Sequence, residues 1–403
     1  MSWHKVPFDT LYAIPSKNGL TRPSRVRGSG YKMINMGELF GNDRIGAIDM
    51  ELVPMSDKEI ETMLVDSGDL LFARQSLVLS GAGKCSLVTN LSEPTTFESH
   101  IIRVRLDKTR ANPGFYFYYF KSPISGIKSI VSQGVQAGIR GNDLKTLSVH
   151  LPPLDVQNRI LNVLIKYDDL IENNRRRIQL LEDAARLLYR EWFIYLRFPG
   201  HEHVKIVDGV PEGWKSTTMD NVCEYINRGI SPTYDDDGEY LVINQKCIRN
   251  KLLNLDLARK QSKVYKEEKA VQLGDILINS TGTGTLGRVA QAWVNYEKTT
   301  IDSHVTIVRP NQDIPYLWLG YTLMSLEKVL EDMGEGATNQ KELNRARIRE
   351  IAVILPPKQM MEDFHSFVSP LVSQIQMLMQ QNKKLTEARD LLLPRLMSGE
   401  ISV

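Results

Sequence analysis

The chain has 403 residues, of which 42% are hydrophobic and 24% are charged, and its net charge is +2. These fractions are typical of a soluble globular protein, and the length allows two to four compact units. The start of the chain lacks a basic stretch followed by an apolar one, and no apolar run approaches ~18 residues, so we expect neither a signal peptide nor a membrane span. The cysteines stand far apart, which argues against a disulfide framework or a zinc site and favours a reducing, cytoplasmic setting.

The sequence contains the same series of segments twice, in the same order. Leu-Pro-Pro at residues 151–153 recurs at residues 355–357. Three further pairs precede it in each half: Tyr31–Asn35 with Tyr240–Asn244, Ser67–Arg74 with Leu273–Ser280, and Glu98–Val104 with Asp302–Val308. Matched landmarks in one order indicate an internal duplication, and two long copies indicate two similar domains rather than a solenoid.

The front part of each half, residues 1–150 and 199–354, is predicted to be an α/β domain. Short apolar runs alternate there with Gly, Pro, Asn and Asp, as expected for strands and loops. The segments Leu144–Leu151 and Ile348–Leu355 read as strands that enter the Pro-Pro pairs, where a helix can begin. The aromatic run Phe115–Phe120 reads as a packed core helix.

A long helix is predicted after each Pro-Pro, over residues 151–198 and 355–403. Apolar residues recur there at the a and d positions of a coiled coil, and Asn174 and Asn382 fall in the same series, where a buried Asn can fix helix register. Pro394 is expected to end or kink the second helix. The predicted seam consists of Ile171, Asn174, Ile178, Leu181, Leu188, Ile375, Leu378, Asn382, Leu385 and Leu392.

Three segments give the chain a resemblance to the specificity (S) subunits of type I restriction-modification systems: Asp168–Phe193, Arg197–Trp214 and Arg389–Ile401. The resemblance implies two target recognition domains separated by two long helices that form an antiparallel coiled coil. It also implies a non-catalytic protein that reads a bipartite, asymmetric DNA site. Its partners would be double-stranded DNA, two adenine-N6 methyltransferase (M) subunits and, through these, restriction (R) subunits.

One position departs from the family pattern, which usually has Glu-Gln after Leu-Pro-Pro. Here the first copy has Val156-Gln157 and the second has Met360-Met361. A methyltransferase contact assigned to that Gln is therefore in doubt for the second copy.

Two other functions are weighed against this one: a stand-alone DNA methyltransferase or nuclease, and a coiled-coil scaffold that does not bind DNA. Gly282–Gly287 matches the spacing G-x-G-x-x-G, but the residues after it alternate like a strand, whereas a dinucleotide fingerprint needs a helix there. Asn112–Phe115 lacks the second Pro of the methyltransferase motif that it resembles. We therefore expect no catalytic residue, no metal and no cofactor.

DNA contacts are expected on the loops whose chemistry differs between the two halves. Polar and basic side chains of the types that read bases and bind phosphates are concentrated there. His100 and His304 occupy matching positions and are expected to be hydrogen-bonded strand residues rather than DNA contacts. The candidate contacts are Arg74, Gln75, Lys84, Gln136 and Arg140 in the first half, and Asn279, Thr281, Thr283, Arg288, Asn339, Gln340 and Lys341 in the second.

Overall fold

The structure, a computed structural model, describes residues 3–133, 136–336 and 341–403. The chain divides into two units, Met1–Asn173 with Gln381–Val403, and Asn174–Gln380. Within the described ranges, no helix is both long enough and apolar enough to cross a membrane.

The first unit contains most of the N-terminal half of the chain. Its strands are β1 (Lys5–Pro7), β2 (Tyr12–Asn18), β3 (Tyr31–Ile34), β4 (Arg44–Ile45), β5 (Glu51–Val53), β6 (Leu70–Ala73), β7 (Gln75–Ser76), β8 (Cys85–Val88), β9 (Thr95–Phe97), β10 (Ile101–Leu106), β11 (Ser132–Gln133), β12 (Ala137–Gly138) and β13 (Ser148–His150). Its helices are α1 (Met36–Gly41), α2 (Asp57–Met63), α3 (Pro113–Lys121), α4 (Gly141–Thr146) and the first part of α5 (Leu154–Tyr189).

Two sheets form the body of this unit. The larger has the order β2-β10-β6-β8-β4 and is antiparallel except for the β4–β8 pair, and the smaller has the order β5-β3-β9, in which β3 and β9 are parallel. A third, small sheet has the order β11-β12-β7, and β1 pairs with β13.

The second unit begins within α5, which a π-helical turn continues over Arg190–Ile194. Its strands are β14 (Ile206–Val207), β15 (Val210–Pro211), β16 (Lys215–Thr218), β17 (Cys223–Arg228), β18 (Tyr240–Ile243), β19 (Ile248–Arg249), β20 (Leu252–Leu253), β21 (Arg259–Gln261), β22 (Ile276–Asn279), β23 (Val289–Gln291), β24 (Thr299–Ile301), β25 (Val305–Pro310) and β26 (Ala352–Leu355). Its helices are α6 (Met219–Val222), α7 (Tyr316–Ser325), α8 (Glu327–Asp332), α9 (Arg345–Arg349) and the first part of α10 (Lys358–Met397), whose residues from Gln381 onward belong to the first unit.

The sheets of the second unit repeat those of the first. The order β17-β25-β22-β23 corresponds to β2-β10-β6-β8, and β21-β18-β24 corresponds to β5-β3-β9 with the same pair parallel. The pair β16–β26 corresponds to β1–β13. The predicted tandem duplication of an α/β domain is therefore confirmed.

The predicted aromatic core helix is confirmed as α3. The Asn112 side chain caps it by accepting a hydrogen bond from the Gly114 N–H at 2.8 Å, and residues 115–119 are at most 1% exposed. The Asn-Pro-Gly-Phe segment is thus the start of a buried helix. The corresponding helix α7 is buried in the same way.

The two strands predicted before the Pro-Pro pairs are only partly correct. Residues 144–146 lie in helix α4 and residues 348–349 lie in α9, so the strands are confined to β13 and β26. Leu144 and Leu147, like Ile348 and Ile351, are buried with a spacing of three, which fits a helical turn as well as it fits a strand.

The long helices pack against each other within each unit. In the first unit, Leu164 of α5 shares a core with Leu393 of α10, and Asp168 accepts a hydrogen bond from Arg389 at 2.6 Å. Residue numbers increase along α5 while those of the contacting residues in α10 decrease, so the two helices run antiparallel. Pro394 does not end α10, which continues to Met397.

The second unit shows the same antiparallel arrangement with other residues. Ile178 clusters with Ile375 and Leu378, and the ring of Tyr189 lies 5.9 Å from that of Phe364. Of the predicted seam residues, Ile171, Asn174, Ile178, Ile375 and Leu378 are buried, whereas Leu181, Leu188, Asn382, Leu385 and Leu392 are half-buried.

Gln157, after the first Leu-Pro-Pro, is a structural residue in the first unit. Its side chain is fully buried, accepts from the Asn112 N–H at 2.7 Å, and donates to the carbonyls of Arg110 and Pro152 at 3.0 and 2.9 Å. The equivalent Met361 is 2% exposed and lies in the second unit's core. Both residues therefore join the start of a long helix to its own domain, one through hydrogen bonds and the other through apolar contact.

We expect Gln157→Ala to lower the free energy of unfolding of the first unit by about 2–4 kcal/mol, because it leaves the buried Pro152 carbonyl, the Arg110 carbonyl and the Asn112 N–H without their bonds to this side chain. Hydrogen–deuterium exchange of residues 110–121 in the isolated chain would measure this loss. Arg159→Ala, at an exposed position of the same helix, is the matched control. Unchanged protection in Gln157→Ala would show that the side chain does not hold this junction.

Candidate nucleic-acid interface

Three chain segments meet at the end of strand β6 in the first unit. The Arg74 N–H donates to the His100 carbonyl at 2.7 Å, and the Arg74 carbonyl accepts from the Ile139 N–H at 2.9 Å. We call residues 74–84, 98–101, 132–133 and 136–140, which these bonds bring together, the first loop junction. It contains every DNA contact predicted for the first half.

The second unit contains the same junction at the end of β22. The Ser280 N–H donates to the His304 carbonyl at 2.8 Å, and the Ser280 carbonyl accepts from the Leu343 N–H at 2.8 Å. Residues 279–288, 302–305, 335–336 and 341–343 form this second loop junction. Backbone geometry is therefore repeated between the units at the place where the side chains differ.

The first loop of each junction differs in length and composition. Ala73 donates to the Lys84 carbonyl and Asn279 to that of Arg288, so both loops are closed by the same backbone bond, but the first has two more residues. In the first loop, Leu77, Val78 and Leu79 are 88, 60 and 52% exposed. The second loop consists mainly of Gly and Thr.

The glycine-rich segment of the second loop is not a dinucleotide fingerprint. Strand β23 follows it, as predicted, and no helix begins there. Gly282 has a φ of +105°, and its Cα lies so close to Gln245 that a Cβ would be 2.9 Å from the amide nitrogen. Glycine therefore allows this loop to lie against the Gln245 side chain.

The candidate contacts of the first junction are not equally accessible. Gln136 and Arg140 are exposed, and Arg74 and Gln75 are half-buried.

The fifth candidate, Lys84, has partners within the unit. Its ammonium donates to the Phe40 carbonyl at 2.7 Å and lies 3.5 Å from the Asp43 carboxylate. Burial alone would raise the pKa of the Asp43 carboxyl, but the nearby ammonium groups of Lys121 and Lys84 lower that pKa below its ordinary value. Lys84 therefore has internal partners that a phosphate would have to replace.

A polar cleft adjoins the first junction at Arg140. Its volume is about 390 Å³, and its lining includes Lys17, Asn142 and Lys145 beside Arg140. The three cations outnumber the one carboxylate of the lining, that of Asp143, so the cleft is suited to a phosphate. The sequence analysis did not select Lys17, Asn142 or Lys145, because a single Lys in a polar loop carries no pattern that distinguishes it from an ordinary surface residue.

In the second junction, Thr283 and Lys341 are exposed, and Thr281 and Arg288 are half-buried. Asn279 is corrected to a structural residue: it is fully buried, and its amide nitrogen donates to the Gln245 carbonyl at 3.2 Å. Its position at the end of a central strand turns the side chain inward. Asn339 and Gln340 lie outside the described residues.

The two matched histidines lie just before the strands on which they were predicted, and the His304 ring is hydrogen-bonded, as predicted, to the Thr281 hydroxyl. Both His100 and His304 are exposed, and both stand in the middle segment of a loop junction, just before β10 and β25. Their equivalent positions in the two copies were the sequence signal that could have added them to the candidate DNA contacts. Burial of Asp302, whose carboxylate accepts from the His304 N–H at 2.9 Å, raises the pKa of that carboxyl.

Comparison with known proteins accounts for the repeated junction. A profile of the type I restriction modification DNA specificity domain matches residues 13–183 and again residues 211–387, which together make up most of the chain. The chain belongs to this family. It is a specificity subunit with two target recognition domains, and the coarse function predicted from the sequence is confirmed.

Two relatives are similar over most of their length. The type I restriction enzyme MjaIX specificity subunit of Methanocaldococcus jannaschii is 24% identical over 355 residues, covering 83% of this chain and 79% of the relative. The HindI specificity subunit of Haemophilus influenzae is 24% identical over 420 residues, covering 84% and 87%.

The fold is similar to that of a solved structure, the type I restriction-modification S subunit from M. genitalium. The TM-score is 0.59 at 17% sequence identity, and the match covers 98% of this chain and 96% of the other. The fold class predicted for this specificity subunit is therefore confirmed.

Proposed function

We propose that this specificity subunit reads a bipartite, asymmetric DNA site, one half-site through each loop junction, and that it has no catalytic activity of its own. The observation that carries the proposal is the junction around Arg74 and Ser280, which has the same backbone bonds in both units but different side chains. Because their backbone geometry is the same, the two loop junctions would approach DNA in the same way. Because their side chains differ, they would prefer different bases.

The exposed polar groups of the two junctions support different half-sites. The first presents Gln136 and Arg140 beside a cleft with two lysines, whereas the second presents Thr283, Lys341 and His304. Arg and Gln can form paired hydrogen bonds with guanine and adenine edges, and Thr and His make single ones. Lys17, Lys145 and Lys341 would bind phosphates and set register rather than sequence.

The subunit would position two adenine-N6 methyltransferase subunits and, through them, restriction subunits. Each unit contains the same combination of an α/β domain and an antiparallel helix pair, so the chain offers two equivalent places for one kind of partner. The relatives above are named as specificity subunits of type I restriction enzymes. The catalytic residues would then belong to the partners.

Purified chain incubated with DNA and S-adenosylmethionine, or with DNA and Mg²⁺, is expected to produce neither methylated nor cleaved DNA. Adding the methyltransferase subunit should give sequence-specific methylation and a sequence-specific shift in gel mobility. Methyl transfer by the chain alone would refute a non-catalytic reader. A complex that assembles but binds all DNA equally would instead support a scaffold.

A further inference from the structure

His304 has its ring fixed from one side at the surface of the second loop junction. Its Nδ1 lies 2.8 Å from the Thr281 hydroxyl, and its backbone is held by bonds to Asp302 and Ser280. The side chain is nevertheless exposed. One ring nitrogen is therefore occupied inside the unit, while the other, Nε2, is left for a ligand.

The Gln245 side chain determines which way the hydrogen bond between Thr281 and His304 runs. The Gln245 amide nitrogen lies 2.8 Å from the Thr281 carbonyl, which only accepts, so this atom is the donor. The same nitrogen lies 2.7 Å from the Thr281 hydroxyl oxygen and donates to it as well. The Thr281 hydroxyl, which accepts from Gln245, has its own proton to donate, and His304 Nδ1 lies 2.8 Å away as an acceptor for it.

A neutral imidazole that accepts at Nδ1 carries its proton on Nε2. Donation by the Thr281 hydroxyl therefore favours the Nε2–H tautomer of His304, which presents a single N–H donor at the surface. On the major-groove edge an N–H donor can bind the N7 acceptor that adenine and guanine share, guanine O6 or thymine O4, whereas the exocyclic amine of cytosine is a donor that it cannot bind.

We propose that His304 is a specificity-determining residue of the second half-site, that it donates from Nε2 to a purine N7, and that Thr281 and Gln245 are its positioning residues. This inference rests on the proposed function. It adds one named donor and one named base atom to the reading of the second half-site.

The first unit provides an internal contrast. At the matching position, His100 Nδ1 lies 3.7 Å from the Glu98 carboxylate, and Gln75 occupies the place of Thr281. Among the residues that the structure describes, no hydroxyl bonds His100 Nδ1 in this way. The effect of losing the Nε2 donor should therefore be confined to the second half-site.

The test uses the chain assembled with its methyltransferase subunit. We expect His304→Ala to lower methylation of the cognate site by about 10-fold and to relax the preference at one purine of the second half-site only. Replacing that purine by its 7-deaza analogue should weaken binding by the wild type to a similar extent and leave binding by His304→Ala unchanged. His100→Ala is the matched control and should not alter the second half-site.

The positioning role has its own measurement in the chain without partners. Nitrogen-15 NMR of the histidine ring should show the proton on Nε2 in the wild type and in Thr281→Ser, and a mixture of tautomers in Thr281→Val. A proton on Nδ1 in the wild type, or an unchanged second half-site in His304→Ala, would overturn the inference. Failure of the wild-type assembly to bind any specific DNA would instead overturn the proposed function.

Discussion

Asp275→Ala is expected to lower the free energy of unfolding of the second unit by about 3–5 kcal/mol, because it leaves a buried guanidinium without its counter-ion. Asp275 is fully buried, and Arg309, which is 8% exposed, donates to it from Nε and Nη2 at 2.7 and 2.8 Å. The Asp275 carboxylate also accepts from the Gln272 N–H at 2.8 Å. Its removal therefore breaks three charge-assisted bonds inside the sheet.

Tryptophan fluorescence during urea unfolding would measure this loss, since four of the five tryptophans, Trp192, Trp214, Trp293 and Trp318, lie in the second unit. The first unit provides a matched control, because Asp69 and Arg105 form the same paired bonds at 2.7 and 2.8 Å. Arg105 is more exposed and also pairs with Asp66, so Asp69→Ala should cost less. Equal losses in the two variants would contradict this explanation.

A fragment ending at Gly200 is expected to dimerise and, with the methyltransferase subunit, to methylate two inverted copies of the first half-site. The truncation removes α10, and with it the partners of Leu164 in the first unit and of Tyr189 and Trp192 in the second. Each apolar side chain so exposed costs about 1.5–3 kcal/mol, which the α5 helix of a second fragment can recover. Like chains pair about a two-fold axis, which requires a palindromic site with half-sites ~10 base pairs apart.

Sedimentation would report the dimer, and methylation mapping would report the palindrome. Leu164→Asp in the fragment is the control, since a charge in the seam should prevent pairing and abolish methylation together. A folded, monomeric fragment that methylates single half-sites would show that the long helices do not set the spacing.

The duplication and the long helices could be predicted because each depends on many residues at once. A common offset of 204 residues places His100 with His304 and Leu144 with Ile348. The heptad series runs over many turns, so no single residue decides it. The strands predicted at β13 and β26 are longer than the observed ones, because two apolar residues with a spacing of three fit a helical turn as well as a strand.

Side-chain direction in the candidate site could not be predicted in the same way. The sequence indicates that Asn279 and Lys84 lie near the ends of strands, but a residue at the end of a strand can face the core or solvent, and only tertiary packing decides between them. The sequence alone allows Gln157 to contact a methyltransferase subunit, and only the folded structure shows its three internal hydrogen bonds. The network around His304 joins residues 245, 281 and 304, which no local pattern connects.

The central claim is that the two loop junctions read separate half-sites, and a chimera tests it most directly. Residues 211–350, replaced by the matching region of another specificity subunit, exchange the second junction and leave the first intact. Genome-wide mapping of methylated adenines should then show the original first half-site joined to a new second one. A chimera that folds and methylates DNA but changes both half-sites, or neither, would contradict two independent readers.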